Sequence, residues 1–153
     1  MVNQALTDKL LDISRQHAAE IAELWYKAII TNPRTPSYSK LDKNVLVYQA
    51  ELLYKNLKQL FFAEDPYPEV EKFLATTRFT EYAYDNHLPL WEAVYALVIM
   101  RRYIWLYADM QALMYNSPLE MYQALESVNR TILLFDYAIH IVTKRYDALA
   151  KKK

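Results

Sequence analysis

Not one of the 153 residues is glycine. That absence removes whole classes of fold and function. Phosphate-cradling loops of the GxxxxGK[ST] and GxGxxG kinds need a backbone that meets a phosphate without a Cβ in the way. Tight β-hairpin turns need φ > 0, which glycine supplies most cheaply, so a β-rich fold is disfavoured. Hydrophobic residues still make up 54% of the chain, enough for a full core. Helices joined by proline-marked breaks satisfy both conditions, and we expect an all-α bundle in one domain spanning residues 1–153.

The prolines sit where helices should start or stop. An apolar stripe of Leu10, Ile13, His17, Ile21, Leu24 and Ala28 predicts a first helix from about Gln4 to Thr31. Asn32-Pro33-Arg34-Thr35-Pro36-Ser37-Tyr38 then forbids helix, because each proline pushes its predecessor out of the α region. Asp42 can cap a second helix over residues 43–62. Asp65-Pro66 opens a third, to about Tyr84, and Asn86 or His87 must take the left-handed conformation that follows. A fourth runs from about Pro89 to Tyr115 and is apolar nearly all round between Ala93 and Met100. Ser117-Pro118-Leu119-Glu120 is a capping box with proline at the first helical position, and it opens a long last helix to about Ala150. The result is about five helices with a long C-terminal one, a layout compatible with a globin-like arrangement.

That last helix carries an unbroken heptad. Leu125, Val128, Ile132, Phe135, Ile139, Val142, Tyr146 and Leu149 are spaced 3, 4, 3, 4, 3, 4 and 3 residues apart. Such a seam packs against another helix, and the first seven of these residues are the candidate interface of a homodimer. The apolar arc spans about 160°, wider than a two-stranded coiled coil needs. One edge can therefore pack within the chain while another meets a partner.

The chain offers no recognised catalytic apparatus. With no cysteine there is no thiol nucleophile and no Cys-ligated metal. No acid stands three residues before His17, His87 or His140, so the Glu-x-x-His ligands of di-iron bundles are missing. HExxH is absent too. We expect no catalytic residues, no metal and no cofactor. Eighteen basic and eighteen acidic residues cancel, leaving no electrostatic case for nucleic acid. The longest apolar run, Ala93 to Met100, has eight residues against the ~20 of a membrane span. We expect a soluble, cytoplasmic protein with no membrane partner.

Four residues are candidates for ligand binding. Arg101 continues the apolar stripe of the fourth helix and must be paired, with Glu81 the expected acid, or must reach a ligand or interface. Trp105, one turn on, can stack against it. His17 lies mid-stripe in the first helix, as a core histidine or a haem or metal ligand. Tyr38 closes the proline-rich turn.

Several of these stretches resemble one family, the RsbT co-antagonist RsbRD N-terminal domain. They are Leu24-Trp25, then Pro33-Arg34-Thr35-Pro36-Ser37-Tyr38 and Leu41, and finally Leu88-Pro89-Leu90 with Leu97, Arg101-Arg102 and Trp105. The resemblance runs from about residue 10 to residue 110 and implies an all-α bacterial input module. Such modules stand ahead of a STAS domain or a histidine kinase and act by protein–protein contact. By position, the family's turn falls on Thr35-Pro36-Ser37-Tyr38 and its arginine pair on Arg101 and Arg102. The family has glycine where this chain has Asn86-His87. No effector domain is expected within this sequence, which leaves an excised domain and a stand-alone relative both open. The alternative is a small-molecule sensor of globin-like shape, with haem or another tetrapyrrole as the extreme case. A structural adaptor without a ligand is the third reading.

Overall fold

A computed structural model describes residues 4–107, 110–112 and 118–152. The described residues are helical and contain no strand: α1 (Gln4–Gln16), α2 (Ala18–Thr31), a 3₁₀ turn (Pro36–Lys40), α3 (Lys43–Phe61), α4 (Pro66–Thr77), α5 (Phe79–Asp85), α6 (Leu90–Leu106) and α7 (Pro118–Lys151). The all-α expectation holds, with a 34-residue last helix.

Three expected helices are shorter than the sequence suggested. The first breaks at His17, whose φ of −110° and ψ of 22° leave the helical region. The third breaks at Arg78, which is left-handed at φ 56°. The fourth ends at Leu106 because Tyr107 turns extended, with φ −63° and ψ 134°. Residues 110–112 are helical again, while Tyr115 and Ser117 lie outside the described residues. His87 takes the left-handed position expected before Pro89, at φ 61°. Asp42 caps α3 by accepting a hydrogen bond from Asn44 N at 2.9 Å. Asp65 makes no such bond, so the start of α4 rests on Pro66.

The antiparallel course of α3 along α2 and α1 can be read from paired residues. Lys43 meets Glu23 at 3.3 Å, Ser14 Oγ donates to Tyr54 O at 3.0 Å, and Lys58 bridges Asp12 at 3.2 Å. Across this hairpin lies α6, gripped by two buried aromatic donors. Trp25 Nε1 donates to Ala96 O at 2.9 Å, and Tyr54 Oη donates to Met100 O at 2.8 Å. A helical carbonyl has a second lone pair, so these bonds add to the helix ladder without replacing it. In turn α7 runs antiparallel to α6, with Tyr146 Oη donating to Leu88 O at 3.2 Å. It also packs on α4, α5 and α1. Arg130 on α7 donates to Phe61 O at 3.1 Å and Ala63 O at 3.3 Å, a cation placed where the end of α3 leaves carbonyls unpaired.

The break at Arg78 has a tertiary reason, and the one at His17 keeps its backbone ladder. Breaking at Arg78 turns Phe79 into the core, and Gln49 Nε2 takes up the Thr77 carbonyl at 3.1 Å. At His17 the hydrogen bonds from its N–H to Ile13 O and from Ile21 N–H to its own carbonyl continue the ladder at 2.9 and 3.0 Å. Both α1 and α2 follow α3. No helix of the described residues is long and apolar enough to cross a membrane.

Candidate functional site

The outer face of α6 is built from Trp91, Tyr95, Val98, Arg102 and Leu106, which share one side at helical spacing. Trp91 is 59% exposed, Leu106 is also exposed, and Tyr95 and Val98 are half-buried. Alongside runs the outer edge of the α7 seam, with Leu125 at 57% exposure, Met121 also exposed, and Val128, Ile132 and Ile139 half-buried. The antiparallel contact of α6 with α7 makes these two rows neighbours. Leu90 shares one surface cleft with Thr143, Tyr146 and Ala150, which fixes the α6 side of α7 at the far end. Together the rows form an apolar two-helix face open to water. Exposed apolar rows of this composition mark interaction surfaces.

The heptad seam does not act as one unit. Phe135, Val142 and Tyr146 are buried in the chain's own core, so they are not available to a partner. The reason is rotational: successive seam residues flank the line along which α7 meets α6, and those turned inward are covered by it. Leu125, Val128, Ile132 and Ile139 stay on the open edge.

The four candidate ligand residues are not gathered into one site. Tyr38 is fully buried, and burial pushes its phenol pKa up, with Tyr146 and Glu92 adding to the shift. It is a core residue. His17 is not mid-core but stands at the α1–α2 break, with a 32% exposed side chain. Its Nδ1 lies 3.5 Å from Glu20 Oε1, and its ring centroid is 5.4 Å from that of Tyr107. Tyr107 also donates to Glu20, and this bond followed by the one from His17 holds the Glu20 carboxyl below its usual range. Arg101 is half-buried and makes no ion pair with Glu81, which is taken by Arg145 at 3.0 Å. Among the described residues, the buried Nε1 of Trp105 has no hydrogen-bond partner. Among the described residues no cation–π contact joins it to Arg101.

Sequence reading passed over three polar side chains that the fold uses. Glu92, only 1% exposed, accepts from Ser37 N at 2.8 Å and Ser37 Oγ at 2.6 Å. Arg130 clamps the end of α3, and Arg145 pairs with Glu81. Their partners lie between 55 and 69 residues away, and no local spacing announces them.

Inside the bundle, Leu57, Leu97, Met100, Leu134 and Phe135 border a small apolar cavity of about 30 Å³, whose lining contains no histidine. Among the described residues no group of three or more His, Cys, Asp or Glu is arranged to hold a metal ion. Compared with known protein families, curated proteins and solved structures, this chain matches none.

Proposed function

We propose that this chain is a non-catalytic bacterial signalling input domain that acts by protein–protein contact as a homodimer joined through α6 and α7. The observation carrying this reading is the open apolar face of Trp91, Leu106, Met121 and Leu125 with half-buried Val98, Val128 and Ile132 between them. The same face on two identical chains can meet itself about a two-fold axis, the commonest symmetry of soluble oligomers. The likeness of the Thr35–Tyr38 turn and the Arg101-Arg102 pair to RsbRD N-terminal domains supplies the signalling context. A STAS domain or a histidine kinase is the downstream module it implies.

As a mechanism, two packings of α6 against α7 would differ in how the paired faces meet. A ligand binding one packing better would shift the balance, by no more than its difference in affinity. Leu125→Lys and Trp91→Glu place charges on the proposed interface without touching the buried core. Sedimentation velocity should show a dimer for the unaltered chain and a monomer for the double variant. An unchanged sedimentation coefficient for the variant contradicts this interface.

A further inference from the structure

On the far side of α7 from the seam, a cleft of about 220 Å³ opens between α4, α5 and α7. Its volume is below the ~300–1,000 Å³ of drug-sized sites, which suits a molecule of amino-acid size. Buried Leu74 and Ile141 give it an apolar floor. Four charges line it: Glu71 and Glu81 from the α4–α5 side, Lys144 and Arg145 from α7.

These charges are used unequally. Arg145 Nε donates to Glu81 Oε2 at 3.0 Å, and the Glu81 side chain is only 17% exposed. Among the described residues, the two terminal nitrogens of Arg145 have no hydrogen-bond partner, and neither Glu71 nor Lys144 belongs to an ion pair. The cleft thus holds one unused anion on α4 and one unused cation on α7. Unspent guanidinium donors stand next to that cation. Its lining has no net charge, so neither an anion nor a cation alone would satisfy both walls.

We propose that this cleft binds a free α-amino acid with an apolar side chain. The ligand's carboxylate lies on Lys144 and the terminal nitrogens of Arg145, a guanidinium being suited to that planar acceptor. Its ammonium lies on Glu71, and its side chain covers Leu74 and Ile141. The role of the amino acid as the signal rests on the function proposed above, whereas its binding does not.

The test is calorimetric titration of the full chain with L-leucine, beside 4-methylpentanoate, which lacks the ammonium, and 3-methylbutylamine, which lacks the carboxylate. Leucine should bind saturably, and each of the other two at least about tenfold more weakly. Lys144→Gln and Glu71→Gln, both at exposed positions, should each weaken leucine by about tenfold while leaving the circular dichroism spectrum unchanged. Absence of saturable leucine binding overturns the site. Equal binding of leucine and 4-methylpentanoate, or full affinity in both variants, overturns the zwitterion assignment. Sedimentation of the same samples separates the two ideas: a dimer that ignores leucine loses only this cleft, and a monomer that binds it loses only the dimer.

Discussion

Glu92, at the start of α6, accepts both a backbone and a hydroxyl hydrogen bond from Ser37, at 2.8 and 2.6 Å. The bonds tie α6 to the proline-rich turn between α2 and α3, with Glu92 buried and Ser37 half-buried. Hydrogen bonds to a charged acceptor are worth about 1.5–3 kcal/mol, and Glu92→Gln leaves one amide N–H₂ facing a donor. Urea unfolding should show a loss of about that size. A loss below about 0.5 kcal/mol, the range of an unremarkable surface change, contradicts the clamp.

The two aromatic donors on α6 should differ in cost. Tyr54→Phe removes the bond to Met100 O, but that carbonyl keeps its helical partner, so about 1 kcal/mol is expected. Trp25→Phe removes the bond to Ala96 O and also leaves a void among fully buried neighbours. It should cost at least about 2 kcal/mol. Chemical denaturation checks the order, and equal costs contradict it.

Lack of glycine leaves a signature at Arg78, an exposed residue held at φ 56° and ψ 31°. A non-glycine residue there carries about 1–2 kcal/mol of steric cost, against about 0.5–1 kcal/mol of extra chain entropy for glycine. Arg78→Gly should therefore stabilise the fold by about 0.5 kcal/mol, read as a higher melting temperature. A lower one contradicts the strain at this break.

Burial raises the phenol pKa of Tyr146 from its ordinary 10 to about 12, with Glu92 and then Tyr84 adding to the shift. The unfolded chain releases this proton first, so the folded state binds more protons as the pH climbs from 10 to 12. Stability is full below pH 10 and falls across that window. Thermal melts across it should show a shallower decline for Tyr146→Phe than for the unaltered chain. Identical slopes contradict the assignment.

Elements governed by local chemistry were legible in the sequence. Pro66 opens α4, Asp42 caps α3, and His87 takes the left-handed turn before Pro89. Breaks driven by tertiary contact were not. Nothing near Arg78 says that Gln49 will claim the Thr77 carbonyl, and nothing near Tyr107 says that it will turn toward Glu20. The heptad showed which residues of α7 are apolar, but not that Phe135, Val142 and Tyr146 meet the chain's own core while Leu125 faces water. Periodicity records that a face is apolar, not whether or by what it is covered. Arg101 shows the same limit: its placement on the stripe was readable, whereas the preference of Glu81 for Arg145 depends on how α5 lies against α7.

The central claim is that the α6–α7 face joins two copies of this chain. Native mass spectrometry of the untagged protein tests it most directly. The expected result is a species at twice the 18.2 kDa chain mass, lost when Leu125→Lys and Trp91→Glu are combined. A monomer at every concentration examined, or a dimer that survives both substitutions, contradicts it.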